Sequence, residues 1–392
     1  MPADPRPPAI AAFDLGGTWF RGGCYSPDSG LTHCWREPAI NYLNHPDCSA
    51  AQLQAELADF IVTRLRKLCG ISQVPIHAAG VSIGAPVNAH DMRVLGSGPL
   101  WGPSAEPFDL HGRLNQALPA IRWHIVNDIT ALLAPYMERD SQYGKTMLVT
   151  VSSGIGSRLY DHRADCIPFD PVHGVQGEIG HLICPFELEG RLISSRCECG
   201  GLNHVNAFCS GRGIAITLRE LPELSANFNT FCSDSPDDWR RAGEPYRLGI
   251  FRTALDAGNE TALALLGALV TPLCRILATA LTLDPRIDRI VMTGGVVHGL
   301  GEHYREAVQR RFLADALYKI TDDDPRYLAN RLHWEAADDF SGLRGAALYV
   351  LRTDPEPAGE SPTALRPVPS PHDSHPDHSR PTPRGKPYEL TH

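Results

Sequence analysis

The sequence predicts an α/β protein of two successive lobes, whose glycine-rich turns face each other across a cleft. A strand, a glycine turn and a second strand occupy residues 10–25, and the same pattern returns at residues 146–161. Alternating helical and extended patterns follow each hairpin, which is the order expected of an α/β domain. A chain of 392 residues is long enough for two such domains, each with its own core.

In the first lobe, residues 9–132, the spacing of the apolar residues predicts which segments are strands and which are helices. Short apolar runs predict strands, and apolar residues at three- and four-residue steps predict an amphipathic helix that Ser49 caps. Residues 84–101 are predicted to form a loop. The predicted strands are 10–15, 19–25, 31–36, 76–83 and 123–126, and the predicted helices are 49–69 and 129–138.

The second lobe, residues 133–339, repeats the alternation around a long apolar helix. The apolar run 261–283 contains Pro272 and Arg275, so we expect a buried helix rather than a membrane span. A last helix, within residues 340–352, is expected to complete the first lobe. The predicted strands are 146–151, 157–161, 289–292 and 331–335, and the predicted helices are 205–221, 261–283, 303–317 and 342–351.

Both ends of the chain are expected to lie outside the folded lobes. Residues 353–392 hold ten prolines and few large apolar groups, so they cannot offset the entropy of ordering and are predicted to be disordered. Residues 1–8 are predicted to be flexible, and the lack of a secretory signal there favours a cytoplasmic protein. The net charge of −9 does not favour a nucleic-acid partner, and the 11 scattered cysteines are typical of reduced thiols and metal ligands.

A candidate metal site lies in residues 177–204. Two thiols and two imidazoles within 24 residues form a set that a tetrahedral Zn²⁺ accepts, and no position is left open for catalysis, so the metal is expected to be structural. Cys184 and Cys209 remain alternatives for the fourth ligand, and a polar loop with cysteines close only by chance is the competing interpretation. The expected ligands are His181, Cys197, Cys199 and His204.

Several glycine-rich turns occur along the chain, and one Asn-Asp motif lies between the first and the second of them. Backbone N–H groups at such turns can bind phosphate oxygens, because glycine allows close approach. One such turn alone would be weak evidence, but the ordered set is stronger. Its members are Asp14-Leu-Gly-Gly-Thr18, Asn127-Asp128, Ser153-Gly-Ile-Gly156 and Thr293-Gly-Gly295.

With these motifs the chain resembles the ROK group of sugar kinases and related repressors, within the actin-like ATPase superfamily. The resemblance spans residues 9–352 and also rests on Gly177-Glu-Ile-Gly-His181, Cys197-x-Cys199-Gly, Ser210-Gly211 and Met292-Thr-Gly-Gly295. It implies a two-lobed actin-like ATPase (ribonuclease H-like) fold, with ATP, Mg²⁺ and structural Zn²⁺ as cofactors.

The resemblance also implies roles for single residues. Asp128 is expected to act as the general base on a sugar hydroxyl that attacks the γ-phosphate, with a helix N-cap as the alternative role. Asp14 is expected to lie near Mg²⁺ through water. The residues expected to bind the nucleotide are Gly16, Gly17, Thr18, Ser153, Gly154, Gly156, Gly294 and Gly295, and those expected to bind the sugar are Asn127, Glu178 and His181.

Three departures from the family pattern concern the substrate and the metal. His204 stands where the family usually has a third cysteine, and Asn206 stands where it has a glutamate that contacts the anomeric hydroxyl. Residues 97–101, Ser-Gly-Pro-Leu-Trp, lack the usual sugar-binding asparagine. We therefore expect Asn206 to read a changed ring substituent and the substrate not to be plain glucose bound in the common manner.

The leading hypothesis is ATP-dependent phosphorylation of a primary hydroxyl of a hexose, an amino sugar or a sugar-like cyclitol. The alternatives are a glucokinase that uses ATP or polyphosphate, and a non-catalytic sugar-binding regulator. Regulators of this group carry a DNA-binding domain before the first motif, whereas only thirteen residues precede Asp14 here. The expected partners are a small-molecule substrate and, as in many members, a second copy of the chain, with no nucleic acid and no membrane.

Overall fold

Two mixed β-sheets carry the fold, each extended at one side by a hairpin as the sequence predicts. The computed structural model of the protein describes residues 9–72, 74–102, 106–138 and 141–354. The first sheet has the order β3-β2-β1-β4-β5, the second has the order β11-β10-β6-β7, and β8 pairs with β9. The strands are β1 (Ala9–Leu15), β2 (Trp19–Ser26), β3 (Gly30–Pro38), β4 (Ile76–Ile83), β5 (Arg122–Asn127), β6 (Lys145–Val151), β7 (Ile155–Asp161), β8 (Phe186–Leu188), β9 (Arg191–Ile193), β10 (Ile287–Thr293) and β11 (Leu332–Trp334).

Parallel pairing brings the important turns to one edge of each sheet. In the first sheet β1, β4 and β5 run parallel, with Leu15 opposite Ile83 and Ile83 opposite Asn127. In the second sheet β6 and β10 run parallel, with Thr150 opposite Thr293. The residues that follow these strands therefore emerge together, which is where open α/β sheets bind their ligands.

Helices cover both faces of the first sheet, which explains why β1 is apolar at every position except Asp14. Ala11 and Phe13 pack in the cluster that includes the helix at residues 50–71, whereas Ile10 and Ala12 pack against the last helix. Ser49 caps the first of these helices in a capping box with Gln52, as predicted. The helices are α1 (Ala50–Ile71), α2 (Gly98–Trp101), α3 (Leu110–Ala117), α4 (Asp128–Leu133), α5 (Asn206–Cys209), α6 (Gly211–Leu224), α7 (Phe228–Phe231), α8 (Pro236–Arg241), α9 (Glu244–Asp256), α10 (Glu260–Leu283), α11 (Gly295–Leu300), α12 (Glu302–Ala314), α13 (Ile320–Asp323) and α14 (Ser341–Thr353).

The long helix α10 is the central helix of the second core. By length and hydropathy it is the one helix among the described residues that could cross a membrane. Its apolar side, including Leu266, Leu273 and Leu277, packs in the cluster beneath β6 and β10. The burial of this side is the property expected of a core helix.

Several predicted boundaries are wrong for local reasons. The helix predicted at 129–138 ends at Leu133 and continues as a 3₁₀ turn, because Pro135 has no N–H for an α-helical bond. The helix predicted at 205–221 is divided at Ser210, whose extended backbone and side chain cap α6. Some elements were not predicted at all. The predicted loop at 84–101 ends in α2, the chain between α6 and α10 forms α7, α8 and α9, and residues 177–204, which hold the predicted metal site, contain the β8–β9 hairpin. Residues 1–8 and 355–392 lie outside the described residues.

Candidate active site

Asp128 stands at the start of α4, directly after β5 reaches the sheet edge. Its Oδ1 accepts hydrogen bonds from Asn127 Nδ2 (2.8 Å) and from the backbone N–H of Ile129 (2.9 Å). A Cβ built on Gly84 would lie 3.8 Å from Oδ2 and 3.8 Å from Gly16 Cα in the first glycine turn. One carboxylate oxygen is thus held by the protein, and the other lies beside the turn.

Asn127 orients Asp128 from within the protein. Its Nδ2 donates to the Ala85 carbonyl (2.9 Å) as well as to Asp128, and its Oδ1 accepts from the Ile129 N–H (3.0 Å). Asn127 therefore occupies the N-cap position that was the alternative role for Asp128. With both amide hydrogens engaged, only its Oδ1 keeps an acceptor position for a substrate hydroxyl.

Asp14, near the end of β1, is a second carboxylate at this edge. Ser82 Oγ donates to its Oδ1 (3.0 Å), and Arg21 Nη1 donates to its Oδ2 (3.4 Å). The start of α14 closes on it, since a Cβ on Gly342 would lie 2.8 Å from Asp14 Cγ. Burial raises the pKa of Asp14, although Arg21 and Ser82 act in the opposite direction. A carboxylate beside the first glycine turn fits a water-bridged Mg²⁺.

Burial and the neighbouring charges bring the pKa of the Asp128 carboxyl close to neutral pH. Burial, followed by the charge of Asp14, raises the pKa of Asp128 to about 7, and Glu178 contributes in the same direction. The Ile129 N–H and the guanidinium of Arg158 act in the opposite direction. A carboxylate with a pKa near 7 can accept a proton from an alcohol in a reaction at this pH.

The first glycine turn is fixed by its neighbours. Asn41 Nδ2 donates to the Gly17 carbonyl (2.7 Å), and the Ala39 N–H donates to the Thr18 carbonyl (3.0 Å). A Cβ on Gly17 would lie 2.6 Å from Pro99 Cβ in α2, so this position requires glycine. Gly16 and Gly17 are partly exposed and Thr18 is exposed, so the turn is accessible to a ligand.

The two glycine turns of the second sheet are joined by a serine. Ser152 Oγ accepts a hydrogen bond from the Gly295 N–H (3.0 Å), and the Ser152 carbonyl accepts one from the Gly211 N–H (2.7 Å). Gly294 has φ +112°, and a Cβ there would lie 2.5 Å from the Val151 carbonyl oxygen. The turns at residues 153–156 and 294–295 are therefore neighbours, as a common nucleotide site requires.

Glu178 and His181 lie in a segment pressed against β7. The Gly177 carbonyl accepts from the N–H and the hydroxyl of Ser157 (2.8 and 3.1 Å). A Cβ on Gly177 or on Gly180 would come within 2.1 or 2.3 Å of a β7 carbonyl oxygen. These close approaches place Glu178 Oε1 3.9 Å from Arg158 Nη1.

The predicted zinc ligands come together. One donor atom from each of the four residues lies within 4.8 Å of the others, and Cys199 Sγ is 3.2 Å from His204 Nδ1. A tetrahedral zinc site with bonds of about 2.0 to 2.3 Å separates its donors by roughly 3.3 to 3.8 Å. The donors are thus of the kinds that zinc takes, although Cys197 Sγ is 4.0 Å from His181 Nδ1, slightly farther apart than in a filled site. The four residues are His181, Cys197, Cys199 and His204.

The two alternative ligands and Asn206 have other surroundings. Cys184 and Cys209 are buried in the hydrophobic core that contains α10, and neither belongs to the group of four predicted zinc ligands. Asn206 Oδ1 accepts a hydrogen bond from the Ile155 N–H (2.7 Å), so this side chain links the metal stretch to the second glycine turn. Its Oδ1 is thus directed to the turn in this structure.

Sequence reasoning missed four residues of the site. Arg21 and Ser82 bind Asp14, Ser152 joins two turns, and Arg158 faces Glu178. A signal existed only for Arg158, which is a charged residue in a strand otherwise apolar enough to be buried. The others depend on partners from distant parts of the chain.

A family model described as the ROK family matches residues 12–353. The chain belongs to the ROK family. It is 38% identical over 361 residues to a 2-epi-5-epi-valiolone 7-kinase of Actinoplanes sp., covering 90% of this chain and 96% of that protein. It is 29% identical to a C(7)-cyclitol 7-kinase of Streptomyces hygroscopicus subsp. limoneus, with 76% and 82% of the two chains covered.

The crystal structure of the ROK hexokinase from Thermus thermophilus has the same fold. Its TM-score is 0.57 at 20% sequence identity, over 87% of this chain and 97% of that one. The protein thus has the actin-like ATPase fold and is a carbohydrate kinase of the ROK type, as the family resemblance implies.

Proposed function

We propose that this ROK kinase transfers the γ-phosphate of ATP to the primary hydroxyl, at the 7-position, of a C7-cyclitol. The observation that carries the proposal is the 38% identity to a 2-epi-5-epi-valiolone 7-kinase along nearly the whole of both chains. The altered positions at Asn206 and in residues 97–101 support it, because a cyclitol has no ring oxygen and no anomeric hydroxyl of the glucose kind.

Asp128 is the proposed general base. The donors on its Oδ1 leave Oδ2, beside the first glycine turn, to accept the proton of the primary hydroxyl. The alcohol oxygen forms a bond to the γ-phosphorus as the bond to the β-phosphate oxygen breaks, which yields a phosphate ester and ADP. The proton remains on Asp128 until it passes to solvent.

The remaining roles follow from position. Backbone amides of the turns at 16–18, 153–156 and 294–295 are proposed to bind the nucleotide, and Asp14 would hold hydrated Mg²⁺, which offsets phosphate charge when bound. Glu178, His181 and Asn127 are proposed to bind ring hydroxyls, with Asn206 nearby. The four-ligand group would hold a structural Zn²⁺ that keeps His181 in place.

A substrate panel with the full-length protein tests the proposal. ADP release is measured for C7-cyclitols, hexoses and amino sugars with ATP, formation of the phosphate ester is measured separately with polyphosphate as donor, and the product is located by ³¹P and ¹H NMR. We expect kcat/KM with ATP to be at least tenfold higher for a C7-cyclitol than for glucose, and the phosphate to be at the 7-position. A preference for glucose, or phosphate on a secondary hydroxyl, would overturn the proposal.

A further inference from the structure

Arg158 is a buried charge that the reaction described above leaves without a role. It lies in β7, and only 1% of its surface is exposed. Removing a guanidinium from water is costly in free energy unless charged and hydrogen-bonding partners compensate for it. The partners of Arg158 therefore indicate why this position carries a charge.

Those partners belong to the catalytic region. Arg158 Nε donates to Thr130 Oγ1 (3.0 Å), which lies one half-turn after Asp128 in α4, and Nη1 donates to the Ser157 carbonyl (3.0 Å). Nη1 is also 3.9 Å from Glu178 Oε1. A single planar group thus connects the helix that carries Asp128 with the segment that carries Glu178.

Without Arg158, negative charge would exceed positive charge around Asp128. Asp14 from β1, Asp128 from α4 and Glu178 from the 177–181 segment are three carboxylates, and Arg21 is hydrogen-bonded to Asp14. Arg158 interacts with both of the others, Asp128 and Glu178. Loss of its charge would leave Asp128 near two carboxylates, Asp14 and Glu178, with one cation, Arg21, which is hydrogen-bonded to Asp14.

We propose that Arg158 is a positioning residue for phosphoryl transfer, which holds the Asp128 helix against Glu178 and favours the ionised form of the Asp128 carboxylate. The inference rests on the proposed function, since it concerns the base of that reaction. A neighbouring opposite charge lowers a carboxyl pKa, and removing it lets the carboxyl keep its proton to higher pH.

The acid limb of the pH–rate profile tests the proposal. In the wild type, kcat/KM is expected to rise with an apparent pKa near 7, the value for Asp128. In R158M we expect this limb to move up by about one pH unit, so that the fraction of plateau activity that remains at pH 7 is roughly fivefold smaller than in the wild type. R158K keeps the positive charge but lacks the planar guanidinium group. Its acid limb should therefore stay near the wild-type pH, while its maximal kcat/KM falls.

Arg247 supplies a matched control. It is also a buried arginine, but it donates to the carbonyls of Trp239, Arg240 and Ala242, away from the site. R247M should lower stability and leave the acid limb unmoved. A folded R158M protein whose limb coincides with that of the wild type would overturn the proposal, whatever its plateau.

A second measurement is independent of turnover. Urea unfolding of wild type, R158M, D128N and the double variant at pH 8 and pH 5 gives the coupling between the two positions. We expect R158M to destabilise more at pH 8 than at pH 5, and D128N to reduce this difference. If the effects of R158M and D128N on stability are additive at both pH values, the proposal for Arg158 is overturned, whatever substrate the chain phosphorylates. If the wild type has no kinase activity, only the proposed function is overturned.

Discussion

At the scale of single residues, the state of Asp128 decides what the site can do. Its surroundings favour the protonated form, since burial and Asp14 raise its pKa to about 7, yet a base must be ionised to accept a proton. Two donors hold Oδ1 and leave Oδ2 beside the first turn. The residue thus combines a basicity suited to neutral pH with a fixed direction.

Replacement of Asp128 by asparagine should separate catalysis from folding. Asparagine keeps an oxygen for the two donors but cannot accept the proton, so D128N should lower kcat by about 10²–10⁴-fold with little change in the KM for ATP. A coupled assay of ADP release at pH 8 measures this. Full activity in D128N would remove Asp128 from its role.

The same variant should be more stable at high pH. A carboxyl whose pKa is higher in the folded state than its usual 3.8 binds more protons when folded, so its contribution to stability is lost as pH rises from about 4 to about 7. D128N has no carboxyl at this position, so it does not lose stability in this way as pH rises. We therefore expect D128N to gain on the order of 1–3 kcal/mol over the wild type in urea unfolding between pH 5 and pH 8, and the opposite slope would contradict the raised pKa.

At the scale of elements, the sequence predicted what is local. The strand-turn-strand patterns at 10–25 and 146–161 and the Ser49 cap depend on neighbouring residues, and both are present. The β8–β9 hairpin and helices α7, α8 and α9 were missed, because their apolar residues are few and pack on distant partners such as Phe186 on Phe208. Arg158 could be recognised as a charged residue in a buried strand, but its role could not, since its partners come from other elements.

The metal stretch should lose its order when one thiol is removed. In C199S we expect zinc content, measured by mass spectrometry per chain, to fall well below that of the wild type, and the KM for the cyclitol to rise, since His181 would no longer be held. The control is C34S, which removes an exposed thiol of β3 outside the group. Full zinc content in C199S would refute the proposed ligand set.

The turn at residues 294–295 should tolerate no side chain at its first glycine. G294A places a Cβ 2.5 Å from the Val151 carbonyl oxygen at a φ of +112°, a conformation that costs other residues about 1–3 kcal/mol before any clash. We expect a lower melting temperature and a raised KM for ATP. G299A, in α11 and without neighbours near its Cβ, should change neither, and equal effects of the two would contradict the argument.

At the scale of the whole molecule, the site requires contributions from both sheets. Asp14 and Asp128 come from the first sheet, and Arg158 and Glu178 come from β7 of the second and the segment beside it. The two hairpins predicted facing glycine turns, and the family resemblance predicted roles for Asp14, Asp128 and Glu178. Arg158 was not predicted, because spacing along the chain does not show which strand edges meet. The contacts that join the two sheets therefore matter for stability and for the site.

Arg352 provides a contact of this kind. From α14, which packs on the first sheet, it donates to Tyr160 Oη of β7, to Asp165 and to the Met137 carbonyl. R352M would leave these partly buried acceptors without a cation, so we expect a loss of about 1–3 kcal/mol in urea unfolding. R344M removes a more exposed arginine of the same helix, paired with Asp338, and should cost at most about 1 kcal/mol. Because Arg352 touches neither Asp128 nor Glu178, the acid limb of R352M should coincide with that of the wild type, and equal unfolding midpoints for R352M and R344M would show that this contact does not hold the sheets together.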